Sequence, residues 1–145
     1  MIKIIYPTQK PTIKTENDKE IIFCIIRKRW FLLTPEEWVR QNFLLYLTEV
    51  LKYPASLIVV EKQIIMSDVK KRFDIVIYKN SLPYIIVECK EMNVPLTESA
   101  ILQVLNYNSL VQANILVITN GSYCKAFEKI KNDFVEMDFI PNYSN

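Results

Sequence analysis

The sequence of 145 residues contains no histidine and only one glycine, and each scarcity excludes a class of chemistry. Without histidine there can be no Ser-His-Asp or Cys-His catalysis and no histidine-based zinc site. A single glycine, Gly121, rules out the Walker A loop, the dinucleotide-binding fingerprint and the nucleophile elbow. We therefore expect no nucleotide cofactor. The chemistry that remains is that of carboxylates, lysines and metal ions.

Long apolar runs and paired cysteines are also missing. No run approaches the roughly 20 apolar residues of a transmembrane helix, and the apolar start of the chain is too short for a signal peptide. The three cysteines, Cys24, Cys89 and Cys124, have no paired spacing, which favours free thiols over a disulfide framework. These features predict a cytoplasmic protein with no membrane partner.

The length and charge of the chain allow a single domain and leave its partners open. Residues 1–18, with Pro7 and Pro11, suggest a loosely held arm, and residues 19–145 a single domain. The net charge of +2 argues neither for nor against nucleic acid. Basic residues cluster at 27–29 and 70–72. The cluster ending at Arg72 is next to Asp74, where a phosphate backbone would need neutralising, although solvated turn charges are the alternative interpretation.

The order of predicted elements indicates an α/β fold with a mixed sheet. Thr34 as N-cap, Pro35 and two acidic residues predict a helix that ends before Pro54. A second helix is expected from Thr97 to about Gln112. The predicted strands are Ile21–Ile26, Trp30–Leu33, Leu57–Met66, Phe73–Tyr78, Tyr84–Cys89, Asn114–Thr119, Tyr123–Phe127 and Phe134–Phe139. The core would be an antiparallel three-stranded meander, a right-handed crossover helix and a parallel fourth strand, flanked by helices.

The strands 73–78 and 84–89 bring two acidic residues together. If Tyr78 faces Tyr84 in an antiparallel pair, Val76 faces Ile86 and Asp74 faces Glu88. Facing Cβ atoms are roughly 4.5–5.5 Å apart, and two facing carboxylates repel each other. A divalent cation between them would turn this repulsion into a binding site. Lys90 shares their side of the sheet, because side chains two apart point the same way.

An Asp, a Glu and a Lys around Mg²⁺ can cut phosphodiester bonds. We expect Asp74 and Glu88 to bind Mg²⁺, for which Mn²⁺ would substitute, with the Cys89 backbone carbonyl as a further ligand. The metal would lower the pKa of a bound water, and Lys90 would orient that water or stabilise the developing charge. The Cys89 side chain points to the opposite face and is interpreted as core. Alternatively, Asp74 and Glu88 are ordinary acids at strand ends and Lys90 an ordinary solvated lysine.

Three further residues are candidates on the two predicted helices. Glu36 falls within the apolar stripe of the first helix, so it would point at the sheet and towards the metal; its alternative role is to interact with the helix dipole. Glu37 replaces it if the helix phase is one residue different. Gln103 and Tyr107 share a face of the second helix. They would form hydrogen bonds with the active-site carboxylates or with a substrate phosphate. Alternatively, they are the polar edge of a helix that packs on the core.

These residues carry a resemblance to the PD-(D/E)xK nuclease superfamily, and more closely to the N-terminal domain of type I restriction enzyme R subunits. The matching stretches are residues 34–41, Lys71–Ile75, Val87–Lys90, Gln103–Tyr107 and Val117–Gly121. The resemblance implies a restriction-endonuclease-like core, with Asp74, Glu88 and Lys90 as the catalytic set and Glu36 as an auxiliary acid. Phe73 stands where the superfamily name has proline, a position that binds no metal.

The function implied by the resemblance is metal-dependent endonuclease activity on DNA. The ATP-driven translocase and the specificity parts of an R-subunit system are not found in this sequence. Either a homodimer or a separate targeting partner completes the function, or the protein performs another nuclease task such as processing DNA ends. The alternative is a non-catalytic DNA-binding or assembly module that keeps the nuclease fold. The sequence does not distinguish double-stranded, single-stranded or branched DNA, or RNA, as substrate.

Overall fold

A computed structural model describes residues 1–66, 68–107 and 112–144 of the chain, without the side chains of Met66 and Tyr107. The described strands are β1 (Ile2–Lys3), β2 (Ile13–Glu16), β3 (Lys19–Cys24), β4 (Arg29–Leu32), β5 (Ile58–Met66), β6 (Val69–Lys79), β7 (Leu82–Cys89), β8 (Ile115–Thr119), β9 (Tyr123–Ile130) and β10 (Asp133–Met137). The α-helices are α1 (Pro35–Leu45) and α2 (Glu98–Tyr107). None of the described helices has the length and apolar character needed to cross a membrane.

The predicted mixed sheet is confirmed. The strands β5, β6 and β7 form an antiparallel meander, and β8, reached after α2, pairs parallel to β7. The order across the main sheet is β1-β9-β8-β7-β6-β5, with β10 also paired to β9. A smaller sheet has the order β2-β3-β4. All five residues of β8 are buried, as expected for a strand whose two faces are both covered.

The helices lie on opposite faces of the main sheet. Val39, Phe43 and Leu47 of the first helix region pack with Ile75 and Val87 in the larger core cluster. On the other face, Val76, Ile86 and Leu116 pack with Leu105 of α2. This layering places Asp74, in the middle of β6, beside the first turns of α1.

The boundaries of α1 follow from its terminal residues. The Thr34 Oγ1 accepts a hydrogen bond of 3.0 Å from the backbone N–H of Glu37, and Pro35 opens the helix. After Leu45 the chain continues as a wider π-helical turn, Tyr46–Val50, in which the Leu51 N–H donates to the Tyr46 carbonyl. The helical segment ends before Pro54, as predicted. The second helix also begins as predicted, since Thr97 Oγ1 accepts from the Ala100 N–H at 3.2 Å; its expected continuation through residues 108–111 lies outside the described residues.

The first 18 residues are not a loose arm. Ile2 and Lys3 pair with Cys124 and Tyr123 at the edge of the main sheet. Strand β2 pairs with β3 across a turn at Asn17 and Asp18, whose φ angles are +52° and +63°. Asn and Asp adopt positive φ more readily than most residues, which suits a two-residue hairpin turn. Asn17 and Asp18 are the sequence signal for this turn.

Two further expectations about β6 are corrected. Residues 70–72, expected in a basic turn, lie within β6, where Arg72 pairs with Gln63. The pairing of Tyr78 also differs from the prediction: an irregularity after Ile77 places Tyr78 opposite Pro83 instead of Tyr84. The register shifts by one residue between Ile77 and the turn. The pairs on the other side of Ile77 are unaffected, so Val76 still faces Ile86 as predicted.

The single glycine stands where a side chain would be crowded and its backbone strained. Gly121 has φ +91°, and a Cβ built on it would lie 3.1 Å from Cγ2 of Val39. The neighbouring turn is held by Asn120, whose Oδ1 accepts from the N–H groups of Ser122 and Tyr123 at 3.1 Å. A tight turn and close contact with α1 therefore both require glycine at this position.

Candidate functional site

Asp74, in the middle of β6, and Glu88, near the end of β7, come together. The pairing of β6 with β7 ends at Ile75 and Val87, and just beyond it the carboxyls of Asp74 and Glu88 are close enough to interact. The next backbone donor of β7, the Cys89 N–H, bonds to Asp74 Oδ2 at 2.7 Å. A carboxylate oxygen thus accepts where the sheet ladder would otherwise continue, and this fixes the Asp74 side chain.

Glu88 is a buried carboxyl whose charge is only partly offset by neighbouring groups. Only 8% of the residue is exposed. Its Oε1 lies 3.5 Å from Lys71 Nζ and accepts no hydrogen bond from any residue that the structure describes. Burial and then the charge of Asp74 raise the pKa of Glu88 to about 8, with Lys71 acting in the opposite direction. The two acids therefore favour a shared proton or a cation between them.

A buried arginine, Arg40, joins the acids on one side of this pair. Its Nη2 lies 3.1 Å from Glu36 Oε1, 2.9 Å from Glu61 Oε1 and 3.1 Å from Asp74 Oδ1. Its Nη1 lies 2.8 Å from Glu37 Oε1. Burial opposes the charged form of Arg40, but Glu37 and then Asp74 outweigh it and raise its pKa. Sequence reasoning missed Arg40; its position four residues after Glu36 on α1 was the available signal.

The structure exposes Glu36 and buries Glu37, the reverse of the leading prediction. The Glu36 side chain is 52% exposed instead of pointing into the sheet, and it reaches the site through Arg40. Burial and then Asp74 raise the pKa of Glu36. Glu37 is the buried acid, because two bonds from Arg27, one from Arg40 and one from Gln41 satisfy its carboxylate. Burial would raise the pKa of Glu37, but Gln41, Arg40 and Arg27 together lower it.

Glu61 is a second residue that sequence reasoning missed. It lies in β5 between Val60, paired with Ile75, and Lys62, paired with Phe73, which places it opposite Asp74. Its φ is +59°, an uncommon conformation for a glutamate inside a strand and one that costs roughly 1–3 kcal/mol. The conformation accompanies ion pairs from Glu61 to Arg40 at 2.9 Å and to Arg72 at 3.1 Å. No sequence signal marks this backbone conformation.

Lys90 follows β7 and is held by its backbone. Its N–H donates to the Thr119 carbonyl at 2.8 Å, and the residue is partly buried. Its positive charge acts on Glu36, whose pKa it lowers against the effect of burial. Within the described part of the chain, no carboxylate lies within 4.0 Å of Lys90 Nζ. The ammonium group is therefore near enough to act on Glu36 without forming a close pair with a described carboxylate.

The remaining candidates are only partly brought to the site. Arg72 is 67% exposed and pairs with Glu61, so it lies at the solvent edge of the acids. Gln103 is exposed on α2 and, among the residues that can be described, forms no hydrogen bond with Asp74 or Glu88. Tyr107 is the last residue of α2, and its side chain lies outside the described residues.

Residues 35–141 match the family model described as type I restriction enzyme R protein N terminus. The chain belongs to this family. No curated protein matches the chain. The matched region runs from the start of α1 to just beyond β10, so it contains every candidate residue discussed above. The chain is thus related to a restriction enzyme component.

The carboxylate oxygens of Asp74 and Glu88 are of the chemical type that Mg²⁺ binds. Over residues 1–66, 68–107 and 112–144, no three His, Cys, Asp or Glu side chains form a group able to hold a metal ion on their own. Mg²⁺ does not require such a group, because it commonly binds one or two carboxylates and completes its shell with water and substrate phosphate. The under-compensated Glu88 Oε1, close to Asp74, fits that pattern.

Replacing Glu88 with glutamine tests the repulsion between the two acids. Because the pKa of Glu88 is raised from 4.5 to about 8 on folding, the folded state holds a proton that the unfolded state releases. Wild-type stability should therefore fall as pH rises from about 4.5 to 8, by on the order of 1.4 kcal/mol per pKa unit. The variant should lose this slope and exceed wild type above pH 8.

Urea unfolding between pH 4 and 9 in EDTA provides the measurement for this prediction. Glu128→Gln is the matched control, because Glu128 is exposed on β9, and it should keep the wild-type slope. Parallel pH profiles for wild type and Glu88→Gln would show that the two acids do not interact as described.

Proposed function

We propose that this member of the R-protein N-terminal family is a metal-dependent endonuclease-type domain of the PD-(D/E)xK kind that hydrolyses phosphodiester bonds in DNA. The observation that carries the proposal is the meeting of two carboxyls, Asp74 and Glu88, with the raised Glu88 pKa and with Lys90 two residues further along. Membership in a restriction enzyme family supports DNA as the substrate.

Asp74, Glu88 and the Cys89 carbonyl would hold Mg²⁺, or Mn²⁺ in its place. When bound, the metal supplies Lewis-acid activation of the phosphoryl oxygen and of a water molecule. Burial of Glu88 supports this role, since a desolvated carboxylate beside another carboxylate gains more from a cation than an exposed one does. The Cys89 N–H already fixes the orientation of Asp74.

Lys90 would donate to the attacking water or to the phosphoryl oxygen on which charge develops. This role is supported by its lack of a carboxylate within 4.0 Å among the described residues. Exposed Arg72 would bind a backbone phosphate through its guanidinium group. Glu36, held by Arg40 at 3.1 Å, would act as the auxiliary acid, and Gln103 and Tyr107 would contact substrate from α2.

Arg40 would act as a positioning residue. Its guanidinium bonds Asp74 Oδ1 and Glu36 Oε1 through the same nitrogen, at 3.1 Å each. It therefore fixes the separation of the catalytic and the auxiliary carboxylate without contacting substrate.

Incubation of the purified protein with supercoiled plasmid tests the proposed activity. We expect nicked and linear products with Mg²⁺ or Mn²⁺ and none with EDTA. Asp74→Asn should be inactive, because the amide supplies a weaker metal ligand, while Asp68→Asn, a change on the β5–β6 turn, should retain wild-type activity. Equal activity in wild type and Asp74→Asn would point to a contaminating nuclease and would refute the assignment.

A second candidate function is a non-catalytic DNA-binding or assembly module. Both oxygens of Asp74 already accept hydrogen bonds, from Arg40 and from the Cys89 N–H, so a cation from the protein itself partly compensates the acids. DNA binding by wild type, with no cleavage under any metal condition, would favour this function. A second copy of the chain or a separate targeting protein remains the proposed partner in either case.

A further inference from the structure

A groove beside α1 is separate from the carboxylate site. It encloses a cavity of about 480 Å³, lined among others by Lys3, Tyr6, Lys10, Trp38, Met92 and Tyr123. A second recess of about 430 Å³ shares Trp38 and Met92 with it. Ligand pockets typically enclose about 300–1,000 Å³, so the groove can hold a group the size of a nucleotide.

The lining combines flat apolar groups with positive charge. Trp38 and Tyr6 are partly buried, and Tyr123 is 42% exposed. The Tyr6 hydroxyl donates to the Gly121 carbonyl, which fixes its ring at the wall of the groove. Aromatic faces of this kind stack on nucleobases irrespective of sequence.

The charged residues that line the groove, among those described, are all positive. Lys3 and Lys10 are exposed, and within the described part of the chain neither has a carboxylate within 4.0 Å. No aspartate or glutamate is among the described residues lining either recess. This excess of positive charge is complementary to a phosphate backbone.

The groove and the carboxylate site lie on two flanks of α1. Glu36 and Arg40 face the acids, whereas Trp38, about 200° around the helix from Glu36, faces the groove. Met92 follows Lys90 by two residues, and Gly121 follows β8, so the groove lies at the carboxyl ends of the parallel strands β7 and β8. Such ends are where open α/β sheets bind ligands. A helix is about 10 Å across, a distance that a few nucleotides span.

We propose that this groove binds an unpaired nucleotide of the DNA strand, with its base against Trp38 and its phosphates at Lys3 and Lys10. A concave recess admits one exposed base but not a duplex, whose base faces are covered by stacking. The inference rests on the proposed function and narrows its substrate: the domain would act on DNA that carries single-stranded or frayed segments.

Binding of the 12-mer oligothymidylate dT12, measured by fluorescence anisotropy in EDTA, tests the groove independently of cleavage. We expect dT12 to bind more tightly than a 12-base-pair duplex. The double variant Lys3→Gln/Lys10→Gln should bind dT12 roughly tenfold more weakly and reduce the salt slope by about 1.4, from two phosphate contacts at about 0.7 each. The matched control, Lys14→Gln/Lys19→Gln, removes two charges from the small sheet and should bind like wild type.

Tryptophan fluorescence provides the second measurement. In a Trp30→Phe background Trp38 is the only tryptophan, and dT12 should quench its emission if a base stacks on it. Equal losses of binding in the two lysine double variants, or no quenching of Trp38 in a folded protein that binds dT12, would overturn the inference.

The failure of this inference is distinguishable from that of the proposed function. Plasmid cleavage without any effect of Lys3→Gln/Lys10→Gln on dT12 binding would leave the nuclease assignment intact and overturn the groove. Groove-dependent dT12 binding in a protein that cleaves nothing would support the groove and overturn the nuclease assignment.

Discussion

Lys90→Ala should reduce the rate of plasmid cleavage about 10²–10³-fold, the cost typical of removing one donor that stabilises transition-state charge. The effect is expected to be large because the ammonium group of Lys90 has no close carboxylate among the described residues and so remains available to substrate. Its backbone, which bonds to the Thr119 carbonyl, is unchanged by the substitution. The free energy of unfolding should therefore stay within about 0.5 kcal/mol of wild type.

The measurement is the initial rate of plasmid nicking at saturating Mg²⁺, with urea unfolding of the same preparations. Lys62→Ala is the matched control, since Lys62 is an exposed lysine on β5 and should retain the wild-type rate. A Lys90→Ala variant that nicks DNA at the wild-type rate would remove Lys90 from the catalytic set. A loss of rate accompanied by unfolding would instead assign it a structural role.

The meeting of Asp74 and Glu88 could be predicted because it depends on local rules. Alternation along two strands and a short turn between them fix which residues face each other. The prediction assumed a wrong pairing for Tyr78, yet the irregularity after Ile77 left Val76 opposite Ile86. The mixed sheet was predictable for the same reason: strand, helix and strand in succession imply a right-handed crossover and a parallel pair.

Arg40 and Glu61 could not be predicted in the same way. Their contacts join α1 to the hairpin of β5 and β6, with Arg40 and Asp74 separated by 34 residues. Glu61 contributes through a positive φ that residue type does not indicate. Helical periodicity placed Glu36 on the inner face, but the structure buries Glu37 because Arg27, from the turn between β3 and β4, supplies two of its hydrogen bonds. Tertiary partners of this kind decide which of two adjacent acids can be buried.

Arg40→Ala should produce the largest loss of stability, about 3–5 kcal/mol near pH 7, as is typical when one partner of a buried ion pair is removed. The Arg40 side chain is 7% exposed and that of Glu37 is 8% exposed, so water cannot replace the lost bonds. Asp74, Glu36 and Glu61 would also lose their shared cation. Arg40→Lys should be intermediate, because one ammonium group cannot reproduce the two-nitrogen geometry of guanidinium.

Two comparisons make the Arg40 prediction specific. One is the pH dependence of the stability loss, and the other is the loss caused by removing the exposed Arg72. The pKa of Glu37 is lowered in the folded state from its ordinary value of 4.5, so the stability it contributes is present above pH 4.5 and is lost as the pH falls through the lowered value. The difference between wild type and Arg40→Ala, measured by urea unfolding, should therefore narrow as the pH falls below 4.5. Arg72→Ala removes a 67% exposed partner of Glu61 and should cost no more than about 1 kcal/mol. Similar losses for Arg40→Ala and Arg72→Ala would mean that burial does not set the strength of this network.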